Sequence, residues 1–193
     1  MKKMTLILTA GFLALSLAAC GAKQEEAKEE TGVEIASAEE LLTKTWEAIP
    51  EDKSFFVIGG DSEHFAEGKA GKIDLTKAEE NGLENTMCYP LSAVEYVDDA
   101  ASLIHGMVSN GFTAGAYHVT ESSNVQTVAD AVKEKIVTNR WMCGFPEEVT
   151  IASVGDYVVS VFGYADNLDA FQTALTEVYG DAVTVLVEQP IEE

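Results

Sequence analysis

Three observations predict an α+β fold for this chain. Hydrophobic residues make up 47% of its 193 residues, an ordinary share for a globular protein. From Phe112 onward the apolar spacing switches between a period of two and a period of 3.6, in the order strand, helix, strand, strand, helix, strand. Turn residues fall between these runs. That order matches a ferredoxin-like split βαβ unit over about 112–188, with an N-terminal helix, strand and helix added to it. Right-handed crossovers would then place both helices on one face of a four-stranded antiparallel sheet, its first and last strands neighbours at the centre.

The elements follow in chain order. Ser37 and Glu40 form a capping box ahead of Leu41, Leu42, Trp46 and Ile49, which share a helical face, and Pro50 closes the segment. Phe55-Phe56-Val57-Ile58 reads as a buried strand ending at Gly59-Gly60, extending an edge of the sheet. Residues 61–90 carry repeated Gly and Pro breaks and give little periodicity. Ser92 with Glu95 resembles a second capping box, and Val94, Val97, Ala101, Ile104 and Val108 predict a helix over 92–109, stopped by Asn110-Gly111. Phe112–Val119 reads as a strand. Ser123 opens a helix whose inner face carries Val125, Val128, Val132 and Ile136 and which runs to about Met142. Gly155-Asp156 joins two β-rich runs as a hairpin. Asp166 opens the last helix, Gly180 ends it, and Ala182–Val187 is the final strand.

Charge narrows the function. The chain holds 33 Asp plus Glu against 12 Lys plus Arg, a net −21, and Arg140 is its one arginine. A surface this acidic cannot neutralise nucleic-acid phosphates, so nucleic acid is excluded as a partner. Adhesion to anionic lipid headgroups is opposed for the same reason. Residues 1–19 differ: Lys2 and Lys3 precede a short apolar run from Met4 to Leu17, with no acid. This reads as a signal peptide, too short for a permanent membrane span. Residues 20–36, rich in Glu and poor in large apolar groups, read as a self-repelling tether that reaches about 55 Å when extended. Residues 37–193 form a single domain.

Candidate chemistry centres on few residues. Outside the N-terminal segment two cysteines remain, Cys88 and Cys143, and an even number in an extracytoplasmic chain suggests a disulfide. The predicted helix over 92–109 argues the other way. It would hold the two about 25 Å apart, whereas a disulfide needs Cα atoms within about 7 Å. Both readings stay open on the sequence. No CxxC is present, so thioredoxin-type chemistry is unsupported. His105, Asn110, Trp141, Met142 and Cys143 are expected near one end of the sheet, where His105 with Cys143 would suit nucleophilic thiol chemistry. The competing reading makes His105 a helix-terminal charge and Trp141 and Met142 packing residues. His64 and His118 are isolated in sequence. Asp98-Asp99, or Asp61 with Glu63, could hold a cation or act as an acid–base pair, but no EF-hand loop is present. Gly59-Gly60-Asp61 lacks the lysine of a phosphate loop. No metal site and no cofactor is expected.

Leu17-Ala18-Ala19-Cys20-Gly21 resembles the lipobox of bacterial lipoproteins. The resemblance implies cleavage before Cys20 and a diacylglyceryl group on its sulfur, an anchor worth about 0.8 kcal/mol per buried CH₂. Together with the acidic tether, the runs His105-Gly106-Met107, Phe112-Thr113 and Trp141-Met142-Cys143-Gly144-Phe145-Pro146 resemble small lipoproteins of Gram-positive bacteria, some labelled bacteriocin transport accessory protein. This likeness spans about 105–188 and carries over no catalytic residue. It departs from thioredoxin-like accessory proteins in lacking paired redox cysteines. The expectation is a membrane-anchored extracytoplasmic lipoprotein acting as a non-enzymatic binding or accessory module, its partners the membrane through Cys20 and a protein or small molecule. The alternatives are a thiol-dependent enzyme using Cys143 and His105, and a cation-binding module.

Overall fold

A computed structural model describes residues 34–192. The segment expected to be a signal peptide, Cys20, and most of the stretch expected to be a tether lie outside the described residues. The fold is α+β, built on an eight-stranded sheet in which every neighbouring pair is antiparallel. Its strands are β1 (Val57–Gly60), β2 (Phe65–Glu67), β3 (Gly71–Lys72), β4 (Val97–His105), β5 (Phe112–Val119), β6 (Glu148–Val154), β7 (Tyr157–Gly163) and β8 (Val183–Pro190). They lie in the order β2-β1-β4-β5-β7-β6-β8, with β3 also on β4. The helices are α1 (Ala38–Glu47), α2 (Leu83–Thr86), α3 (Val125–Val137) and α4 (Ala165–Tyr179).

Helix α1 starts as its sequence requires. Ser37 accepts the Glu40 amide at 3.1 Å, a cap worth about 1 kcal/mol. Glu40 does not reach back; it pairs with Lys44 one turn on. The first amide of the helix, on Ala38, donates instead to the Asp99 carboxylate at 2.7 Å. Asp99 thus sits at the positive end of the helix dipole and fixes α1 to the start of β4. Leu41 and Leu42 then bury completely against the sheet beside Phe112 and Phe171. Helix α3 ends at Val137, short of the expected Met142, and Thr138 caps it through bonds to Glu134. The β6–β7 hairpin matches expectation: Val154 pairs with Tyr157, and Gly155 takes φ +59° at the turn.

The segment predicted as a helix over 92–109 is overturned. After Pro90 it makes one short 3₁₀ turn over Leu91–Tyr96, then runs as β4 to His105. Its apolar residues fit either reading, because β4 is buried on both sides. Ala101 and Leu103 face α1, whereas Ala100 and Ile104 face the α3 side. A strand covered on both faces loses the alternation that would reveal it. Register with β1 and β5 on its two flanks then satisfies its backbone.

This strand also overturns the ferredoxin-like order. β4 hairpins onto β5 and occupies the edge where the last strand was expected. β8 is displaced to the far side of β6. Two split crossovers remain: β5–α3–β6 brackets β7, and β7–α4–β8 brackets β6. Both step the same way across the sheet but start from antiparallel strands. Right-handed connections must therefore put their helices on opposite faces. So they do: α4 packs with α1 over Phe112, Val159 and Val161, whereas Val128, Val132 and Ile136 of α3 pack over Val149, Ile151 and Phe162. The expectation of both helices on one face fails for this topological reason.

Candidate ligand-binding cleft

At the β1 edge, two short strands share β4 end to end. β1 pairs with β4 as far as Gly59↔Leu103, and β3 takes over at Gly71↔Ser102. The handover brings backbone onto backbone: a Cβ on Gly59 would lie 2.3 Å from the Gly71 nitrogen, and one on Gly71 2.4 Å from the Gly60 nitrogen. Only glycine permits this approach. Ser102 Oγ donates to the Gly60 carbonyl at 2.7 Å, satisfying a group that β1 exposes as it turns away.

Asp61 follows immediately and holds the corner together. Its side chain is 2% exposed. One carboxylate oxygen accepts the amides of Glu63 (2.9 Å) and His64 (2.7 Å) and the His64 Nδ1–H (3.1 Å); the other accepts the Asp74 amide (2.9 Å). Burial alone would push this carboxyl up, but the donated amides of Asp74, Glu63 and His64 outweigh it and hold Asp61 below the ordinary carboxylate range. Its two oxygens accept four hydrogen bonds within the loop. Asp61 is therefore a structural staple, and Glu63, its proposed cation partner, pairs with Lys77 instead. Asp74 in turn accepts the Thr76 amide and hydroxyl, turning the chain into the 3₁₀ turn over Leu75–Lys77.

These turns enclose a cleft of about 530 Å³ between β3, the Leu75–Lys77 turn, the start of α1 and the start of β4. Its lining carries charges of both signs: His64, Lys69 and Lys72 together with Glu39, Asp74 and Asp98. Lys72 Nζ is shared with Asp99 at 3.2 Å, and Lys69 makes no ion pair among the described residues. Asp98 accepts from His118 at the rim, and Asp99 is occupied by Lys72 and the α1 amide. The aspartate pair considered for a cation is thus already partnered. Among the described residues no group of three or more His, Cys, Asp or Glu is arranged to hold a metal ion.

The sequence missed Lys69, Lys72 and His64 as a group. The available signal was two lysines three residues apart in an acidic chain, just after Gly59-Gly60-Asp61. The chain brings them together only through the β1–β3 handover on β4.

The residues singled out earlier lie elsewhere. His105 ends β4, stacks on Phe55 at 4.3 Å, and its Nδ1 accepts the amides of Met107 (3.1 Å) and Val108 (3.2 Å). That engagement requires a neutral ring with its proton on Nε2. Burial lowers its proton affinity further. Asn110, at φ +57°, donates to the carbonyls of Cys143 (2.9 Å) and Gly144 (3.1 Å), so the loops 106–111 and 138–147 do meet as expected. It is Asn110, not His105, that touches Cys143. Trp141 packs tilted against Phe162 at 5.2 Å, as a packing residue would, whereas Met142 is 84% exposed. With Met107, 81% exposed, and Phe56, Val108 and Tyr164, it forms an apolar tip at this end of the sheet.

The two thiols are free. Cys88 is buried on the α3 side among Leu83, Tyr89 and Tyr117, and burial pushes its thiol up to about 11. Cys143 is exposed on the loop after α3. One faces the core and the other solvent, so no bridge joins them.

Comparison with protein families, curated proteins and solved structures finds no match to this chain. No helix among the described residues is long and apolar enough to cross a membrane.

Proposed function

We propose that this chain is a membrane-anchored extracytoplasmic lipoprotein whose domain is a non-enzymatic binding module for a small zwitterionic solute, such as an amino acid or short peptide. The carrying observation is the cleft, whose lining holds Lys69, Lys72 and His64 together with Glu39, Asp74 and Asp98. A ligand bearing both a carboxylate and an ammonium finds groups of opposite charge for each within one cleft. Such complementarity selects against singly charged solutes, which leave one set of charges unpaired. The loops that form the cleft are braced from behind by the Asp61 hydrogen bonds to His64 and Asp74 and by the close Gly59–Gly71 contact, which favours a preformed site. The volume lies within the range of small-molecule sites.

Isothermal titration against amino acids, dipeptides and the corresponding amines and acids tests the ligand class. Saturable heat with zwitterions is expected, weakened at least tenfold by Lys69→Glu or Lys72→Glu. Equal binding of the simple acids would remove the zwitterion reading. Anchoring is tested separately: a Cys20→Ala variant is expected in the soluble fraction, and its retention in membranes would contradict the lipid anchor.

A further inference from the structure

We propose that His64 is the group in the cleft that takes the ligand's ammonium, its bare Nε2 accepting an ammonium N–H, so that a proton competes with the ligand for one nitrogen; this rests on the zwitterion reading of the cleft. The anchoring of the ring decides which nitrogen is available. His64 lines the cleft, and its side chain is 62% exposed. Its Nδ1 lies 3.1 Å from a carboxylate oxygen of the buried Asp61. An ionised carboxylate only accepts, so Nδ1 carries the ring's proton and donates it to that bond. In the neutral ring Nε2 is then an acceptor, and among the described residues only Nδ1 of this ring is hydrogen-bonded. A carboxylate that fixes one ring nitrogen in this way leaves the other for what enters from solvent.

The charges around the ring favour a cation at Nε2. On its own loop lie Asp61 and Glu63, the latter paired with Lys77 from the Leu75–Lys77 turn. Asp74 acts on the ring by charge, and the Thr76 hydroxyl and amide hold its carboxyl below the ordinary range, so it stays ionised at pH 5. From α1 and β4 the cleft receives Glu39 and Asp98, and Asp98 is engaged by His118. Lys69 and Lys72 are the cations of the lining, and they remain for the ligand's carboxylate, which a bare Nε2 cannot bond. Protonation turns Nε2 into a charged donor. It then repels the ammonium, and the ligand must displace that proton to bind.

Titration calorimetry of the full chain in detergent, with amino acids and dipeptides as probes at pH 7 and pH 5, tests this. The probes' own ammonium and carboxylate groups stay charged over that interval. Affinity is expected to fall at least tenfold at pH 5, with protons released on binding, read from heats in buffers of different ionisation enthalpy. His64→Gln keeps an acceptor that does not titrate, so it should bind equally at both pH values and release no proton. Its backbone amide still reaches Asp61, which keeps the loop stapled, and circular dichroism checks the fold at each pH. His118→Gln should retain the pH dependence and the proton release, and decides the case where His64→Gln binds too weakly to titrate. Affinity that is equal at both pH values, or higher at pH 5, overturns the role of His64 and leaves the zwitterion reading standing. So does a pH dependence that persists in His64→Gln or vanishes in His118→Gln. Absence of saturable heat from every probe at both pH values removes the zwitterion reading and the role of His64 together.

Discussion

Asp61 shows how one buried carboxylate can organise a loop. Its oxygens collect three backbone amides from two separate turns, so truncation leaves those donors unpaired in a closed corner. Asp61→Ala is expected to cost about 3 kcal/mol, read as a lower urea midpoint at unchanged slope. Its folded-state pKa lies below the ordinary 3.8, so its contribution is complete above that value and is lost as pH falls through the lower folded value. Asp61→Asn should accordingly flatten the acid limb of the stability profile. His105 acts in a higher range. Burial lowers its folded pKa below 6.5, so the unfolded chain takes up the proton first and stability declines as pH drops from 6.5 toward the folded value. A His105→Phe variant, which keeps the stack on Phe55, should lose that slope in denaturant melts between pH 7 and 5. The thiols provide a third readout. Cys143 is expected to react with a thiol reagent in the native protein, and Cys88 only at the rate of unfolding, since it is buried with a raised pKa. Mass spectrometry of the labelled chain distinguishes one modification from two.

Among the elements, the decisive piece is the handover of β1 to β3 on β4. It is built from backbone contact, so its sensitivity is steric. Gly71→Ala would press a methyl into the Gly60 backbone and is expected to cost about 2–3 kcal/mol, lowering the thermal midpoint. Zwitterion affinity should fall with it, because Lys69 and Lys72 flank that glycine. Ser102→Ala should cost about 1 kcal/mol by leaving the Gly60 carbonyl unpaired. Reading this region from sequence was hard for a physical reason. β1, β2 and β3 are four, three and two residues long, too short for periodicity, and β1 and β3 both pair with β4, far along the chain. β4 itself misled through small residues: Val97, Ala100, Ala101 and Ile104 are spaced as helix and as doubly buried strand alike. By contrast α1, α3, α4 and the β6–β7 hairpin were legible, since each is amphipathic or locally punctuated.

For the whole molecule, the placement of one strand sets the architecture. β4 fills the edge of β5, which sends β8 beyond β6 and, by the handedness of crossovers, sends α4 to the face opposite α3. A sheet buried on both sides results, with the cleft at the corner where α1 meets the β4 edge. The same placement leaves β8 as the long open edge. Charge acts on the same scale. With a net −21, self-repulsion opposes the compact state, so the thermal midpoint should rise from low to high NaCl as screening strengthens.

The sequence by itself determined the secondary structure of the amphipathic segments and the strongly acidic character of the chain, because these depend on local spacing and summed charge. The tertiary structure alone decided that 97–105 is a strand, that the strand order departs from ferredoxin-like, and that His64, Lys69 and Lys72 line one cleft with Glu39, Asp74 and Asp98. Each of those depends on a pairing between distant segments. The energy that selects one pairing over another comes from burial on both faces of the sheet, which no local window of sequence contains.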